Sequence, residues 1–97
     1  MTVKILIKRK VTGFQSVELI RLLNQMRALT MGQDGYMTGE TLNRIDKADE
    51  SLVISTWRSV DDWRRWVLSD QRREIQEQID ALLGQPTAYE IYEHGVF

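Results

Sequence analysis

All three tryptophans of the chain, Trp57, Trp63 and Trp66, fall in one short segment, Trp57-Arg-Ser-Val-Asp-Asp-Trp63-Arg-Arg-Trp66. Trp63 and Trp66 stand i, i+3 on what reads as a helix. They therefore share a face, which Val60 and Val67 extend. Three large aromatics so close suggest a pocket wall, since an indole offers both a stacking face and an N–H donor. The same face also fits a plain hydrophobic core, which is the commoner meaning of such a stripe.

Little else in the composition points to chemistry. There is no cysteine among the 97 residues, which excludes disulfides, thiolate nucleophiles and Cys-ligated metals. One histidine, His94, and scattered acids do not converge into a metal site, so no metal or cofactor is expected. The glycines are isolated at turns without a phosphate-binding pattern. Thirteen basic and fourteen acidic residues give a net charge of −1 with both signs interspersed, which offers nothing to nucleic acid or an anionic membrane. No apolar window approaches a membrane span, and the N-terminus lacks a secretory pattern, so a cytoplasmic protein is expected. The length suits one domain over residues 1–97.

Six elements would position the aromatic residues. Val3, Ile5 and Ile7 alternate as in a strand with one buried face. Thr12-Gly13 turns the chain, with Gln15 or Ser16 as capping residues for a helix to about Met31. Leu19, Ile20, Leu23 and Met26 form that helix's buried face, with Leu22 and Leu29 on its flank, and Gly32 ends it in the left-handed conformation. Residues 35–45 and 51–57 alternate around a solvated loop and form an antiparallel hairpin. Ser59 caps the tryptophan helix, which starts at about Val60. Near Ser69-Asp70 a second helical piece begins, with Ile75, Ile79, Leu82 and Leu83 inward and Gly84 and Pro86 as the stop. Charges such as Asp61 and Arg65 lie on solvent faces, paired at i, i+4. Residues 87–94 form the last strand. The order β-α-β-β-α-β, with the second helix broken in two, predicts an α+β, ferredoxin-like antiparallel sheet with its helices on one face.

Gly35-Tyr36 opening the second strand and the run Trp57-x-Ser59-x-x-x-Trp63-x-x-Trp66-x-x-Ser69 resemble the antibiotic biosynthesis monooxygenase family of the dimeric α+β barrel superfamily. The resemblance covers nearly the whole chain. It implies a homodimer that pairs sheet against sheet into a barrel, and apolar residues on both strand faces agree with a partner: Leu6, Met37 and Val53 on one, Ile5, Tyr36 and Ile54 on the other. It also implies a pocket between sheet and helices for a quinol or phenolic ligand, oxygenated without a cofactor. Trp66 and Tyr36 would be the catalytic residues, with Trp63, Trp57, Ile7 and Gln76 binding the substrate. A non-catalytic dimer that binds a small ligand is the alternative, since fold does not fix function. Heme degradation, also found in the family, calls for an asparagine on the first strand and a histidine on the second helix. Here no Asn stands between Met1 and Val11, and Gln76 lies where the histidine would be. Glutamine is not among the residues that hold heme iron.

Overall fold

The structure, a computed structural model, describes residues 1–11 and 17–95. Seven elements follow in order: β1 (Val3–Lys10), α1 (Val17–Met31), β2 (Tyr36–Asn43), β3 (Glu50–Trp57), α2 (Val60–Val67), α3 (Asp70–Leu83) and β4 (Ala88–Glu93). The strands form one antiparallel sheet in the order β2-β3-β1-β4, the ferredoxin-like arrangement. The core is the helix-facing side of this sheet. Val3, Ile5, Ile7 and Trp57 pack there beneath Leu19, Leu22 and Met26 of α1, Trp63 and Trp66 of α2, and Ile75 and Ile79 of α3.

Register assigns the two sheet faces. Val3 stands opposite Trp57, Ile5 opposite Ser55 and Ile7 opposite Val53, so all six face the helices. This corrects the sequence expectation for β3. Val53 lies on the helix side, and it is Leu52 and Ile54 that share the outer face with Leu6, because the unbroken apolar run Leu52-Val53-Ile54 carries no alternation from which to read parity. Met37 is the extra residue of a bulge between Tyr36 and Thr38. The bulge shifts the phase of β2, so that Tyr36 joins Gly39, Thr41 and Asn43 on the helix side, whereas a regular strand would have put Thr38 and Glu40 beside it.

The helices also depart from expectation. In α1, Leu22 is fully buried and Ile20 is exposed, which exchanges their expected roles, and in α3 Leu82 is exposed. Gly32 does not take the left-handed conformation. α1 ends instead through tight bonds from the Gly32 and Gln33 N–H groups to the Leu29 and Thr30 carbonyls, and among the described residues the positive-φ glycines are Gly35 and Gly84. The turn and capping residues expected at Thr12, Gly13, Gln15 and Ser16 lie outside the described residues.

The break between α2 and α3 is closed by Ser69, whose Oγ donates to the Trp66 carbonyl (2.8 Å) and accepts from the Arg72 N–H (3.3 Å). The start of α2 is fixed by Ser59 and Asp62. Ser59 Oγ accepts from the Asp62 N–H (3.2 Å) and donates to its carboxylate (2.9 Å), which also receives Arg58 and Arg65. Arg65 thus pairs with Asp62 and not with Asp61, because Asp62 points inward at the helix start. The Arg58 guanidinium and the Ser59 hydroxyl hold the Asp62 carboxyl below its ordinary value.

Gly35 sits against this carboxylate with φ +86°, and a Cβ there would overlap the Asp62 side chain. Gly84, the cap of α3, has φ +73° and open space around it. Both alanine variants impose the left-handed cost of roughly 1–2 kcal/mol, and only Gly35→Ala adds the collision. Denaturant unfolding should show Gly35→Ala as the more damaging by at least about 1 kcal/mol. Equal losses would mean that Asp62 moves aside freely.

Candidate functional site

Beyond Trp57 and Tyr36 at one end, the helix-facing residues of β2 and β3 are small or polar, Gly39, Thr41, Asn43, Ser51 and Ser55, with Val53 the largest of the rest. Side chains this short cannot reach α1, and a cavity of about 400 Å³ opens between that helix and the sheet. Its floor is Ile7, Arg9, Val53 and Ser55, and its back wall is Trp63, Trp66 and Arg72. Ile20, Leu23, Asn24 and Arg27 of α1 form one lip, and Glu40, Thr41 and Asn43 of β2 the other. Ile20 is exposed because α1 overhangs this cavity there and has no sheet beneath it.

Four of the six residues singled out from sequence line the cavity: Trp66, Tyr36, Trp63 and Ile7. Trp57 does not. It is fully buried behind the wall, where its Nε1 donates to Ser55 Oγ (2.7 Å) and its ring meets Tyr36 and Trp63 edge-on at 5.6 and 5.7 Å. Gln76 is also behind the lining, as the hub of a polar cluster. Its Oε1 accepts from Arg9 (3.3 Å), Arg72 (3.4 Å) and the Tyr89 hydroxyl (3.1 Å), and its Nε2 donates to Asp80 and Thr87, both at 2.8 Å.

Trp66 belongs to core and wall at once. Only 3% of it is exposed, and its Nε1 donates to Thr30 Oγ1 at 3.1 Å, while that hydroxyl donates to the Met26 carbonyl at 2.7 Å. Its indole N–H is therefore already committed, and what it presents to the cavity is ring surface. Tyr36 has the opposite character. Its ring lies over Gly39, where a Cβ would come within 2.7 Å of the hydroxyl, and that hydroxyl has no hydrogen-bond partner among the described residues. Ser55 Oγ is occupied by Trp57.

Arg9 and Arg72 were not anticipated. Arg72 is 3% exposed and lies between the Trp63 and Tyr89 rings, 5.2 Å from each centroid, with Nη2 donating to the Tyr89 hydroxyl at 2.9 Å. Arg9 follows Val3, Ile5 and Ile7 on the inward side of β1, and its Nε is buried without a partner. Burial lowers the Arg9 guanidinium from its ordinary value, and the neighbouring Arg72 charge adds to this. A signal for both was present in the sequence. Arg9 continues the alternation of β1, and Arg72 precedes Ile75 and Ile79 by three and seven positions, on their helix face. Their charged neighbours, Lys8, Lys10 and Arg73, give the opposite impression of a solvated stretch.

A sheet with this order and a ligand-sized cavity under its first helix defines a ferredoxin-like α+β protein with an aromatic-walled pocket. The family model for antibiotic biosynthesis monooxygenases matches residues 2–78, and the chain belongs to that family. The fold is similar to that of SnoaB, a cofactor-independent oxygenase from Streptomyces nogalater, with 18% identity, a TM-score of 0.82 and coverage of 99% of this chain and 95% of that one. It is also similar to a conserved protein from Methanosarcina mazei (16% identity, TM-score 0.85, coverage 97% and 93%) and to a Mycobacterium tuberculosis protein (19%, 0.81, 97% and 95%). No curated protein matches the chain. Among the described residues, no helix is long and apolar enough to cross a membrane.

The Trp66 ring lines the cavity but is packed on nearly all its other sides, so its removal costs core burial. Trp66→Ala should cost about 3–5 kcal/mol, from lost burial and the void left behind. Trp66→Phe, which keeps an aromatic ring in the core and loses the bond to Thr30, should cost roughly 1–2 kcal/mol. Urea unfolding of both variants checks this, and a loss below about 1 kcal/mol for Trp66→Ala would show that the ring is not part of the core.

Proposed function

We propose that the protein is a cofactor-independent monooxygenase that oxidises a quinol or phenolic aromatic in the cavity between the sheet and its helices. The observation that carries this reading is that Trp63, Trp66 and a Tyr36 hydroxyl without a partner among the described residues line one cavity of about 400 Å³. An electron-rich phenolate can itself give an electron to O₂, so the protein need only bind the ring, exclude water and favour the ionised form. In the net reaction a ring C–H ortho or para to the hydroxyl, a CH₂ in the keto tautomer, becomes C=O, and the second oxygen atom of O₂ leaves as water with the two hydrogens, one from that carbon and one from the hydroxyl. Tyr36 donates to the substrate oxygen that becomes anionic, and the indole faces hold the ring. Family membership and the likeness to a cofactor-independent oxygenase support the reaction class.

The protein acts as a homodimer in this reading. The outer sheet face carries Leu6 directly opposite Ile54 and Leu52 opposite Leu42, with Tyr92 on β4 beside Lys4. Leu42 and Tyr92 are about half exposed in the single chain, which favours a second sheet as their cover. Sedimentation at micromolar concentration should give twice the monomer mass, and Leu6→Lys should shift it toward monomer. A monomeric parent protein would refute the assembly.

Oxygen-electrode traces with a panel of quinols, catechols and anthrone-type phenols, without flavin or metal, should show uptake that depends on the protein. Tyr36→Phe should lower kcat/KM by roughly tenfold or more with little change in stability. Saturable binding of the same compounds without O₂ uptake would identify a non-catalytic ligand binder.

A further inference from the structure

The lining of the cavity includes two positive charges, Arg9 and Arg72, that no carboxylate among the described residues matches. Neither Arg9 nor Arg72 takes part in an ion pair with any described residue; their protein partners are the shared Gln76 Oε1, at 3.3 and 3.4 Å, and the Tyr89 hydroxyl. Asp80, whose charge acts on Arg9, is taken up by Gln76 Nε2 and by the N–H and hydroxyl of Thr87. Each guanidinium carries five N–H donors in a planar fork, so most of the donors on this pair have no acceptor. Arg9 Nε is buried and unpartnered, and Arg72 Nε and Nη1 are also without protein partners, on a residue that lines the cavity. Buried charge left in this state is costly, and a site built this way gains most from an anion that supplies the missing acceptors. The carboxylate on the other side of the cavity, Glu40, lies on the exposed lip of β2.

We propose that the ligand is an aromatic carboxylic acid, its ring held by Trp63, Trp66 and Tyr36 and its carboxylate received by Arg9 and Arg72. This rests on the reading of the cavity as an aromatic-ligand site and adds what selects among aromatics. The guanidinium forks match a carboxylate in two-point geometry, which a hydroxyl or an ester cannot reproduce. Gln76 and Tyr89 act as positioning residues, holding Arg72 in place behind the cavity wall through the bonds given above. A free acid is then bound in preference to its neutral relatives, and the reaction that makes this ligand must leave a carboxylate on the aromatic skeleton.

The test uses 2-naphthoate, methyl 2-naphthoate and 2-naphthol with the intact protein, read by quenching of tryptophan fluorescence and by calorimetry. We expect 2-naphthoate to bind at least about tenfold more tightly than either neutral probe, the scale of a pair of charge-assisted hydrogen bonds. Arg9→Gln should bring that ratio to within about threefold of unity. Arg72→Gln is open to misfolding because the side chain is buried between two rings, so Arg72→Lys, which keeps the charge and loses the fork, serves beside it and should lower the ratio in a protein that still unfolds cooperatively. Equal affinity for acid and ester, or a preference that survives both Arg9→Gln and Arg72→Lys, would overturn the proposal. Acid preference without O₂ uptake by any phenol would leave this proposal standing and remove the oxygenase reading. Turnover of neutral phenols with no acid preference would do the reverse, and binding of none of the three probes would overturn both.

Discussion

The contact of Trp57 with Trp63 at 5.7 Å holds the sheet to its helices, and the site depends on it. Trp57 is the last residue of β3 and fully buried, anchored by its own N–H to Ser55, so it offers α2 a fixed surface. Once Trp63 is seated there, the helical repeat places Trp66 one turn further over the sheet, toward Thr30 of α1. Ser69 then ties the Trp66 carbonyl to the first turn of α3, and so sets where Arg72 emerges beside Trp63. Tyr36 closes the other side of Trp57 at 5.6 Å. One aromatic chain therefore runs from β2 through β3 and α2 to Tyr89 on β4, and its members Tyr36 and Trp63 line the cavity.

The opposite side of the cavity exists because of what is absent. A four-stranded sheet covered by helices fills its interior with Val, Ile and Leu where stability alone decides. Here bulk is concentrated at the β1 and Trp57 end, whereas Gly39, Thr41, Ser51 and Ser55 occupy the facing positions of the hairpin. The bulge at Met37 makes the arrangement consistent, since it turns the ring of Tyr36 onto the same face and over Gly39. The room left by Gly39 is filled by the Tyr36 ring, and the remainder is open.

Much of the fold was legible because its elements carry strong local signals. Alternation in β1, the Ser59 cap, the Ile75 and Ile79 spacing and the Gly84 stop each appear where the residues indicate. The errors occur where the local signal is degenerate. Leu52-Val53-Ile54 is apolar at every position, so only pairing with Ile7 assigns its faces. In α1 the apolar stripe is wider than the sheet contact, and only the cavity beneath Ile20 distinguishes that residue from the buried Leu22. The aromatic part of the cavity lining was legible from residue type and spacing. Its charged part was obscured by the charged residues around Arg9 and Arg72, although both stand in phase with the core.

A buried arginine without a carboxylate is tolerable only where the protein supplies other compensation. For Arg72 this consists of two ring faces at 5.2 Å and two oxygen acceptors, Tyr89 and Gln76, which together stabilise one side of the guanidinium. The same Gln76 oxygen must also serve Arg9, at a distance near the limit of a useful bond, so one acceptor is divided between two cations. Asp80 could have neutralised the cluster, but it is held by Gln76 Nε2 and Thr87, which orients the Gln76 amide with its oxygen toward the arginines. The arrangement thus keeps a fixed positive charge in the lining of the cavity. A core selected for stability alone would have placed an apolar residue at position 72 or a carboxylate beside it.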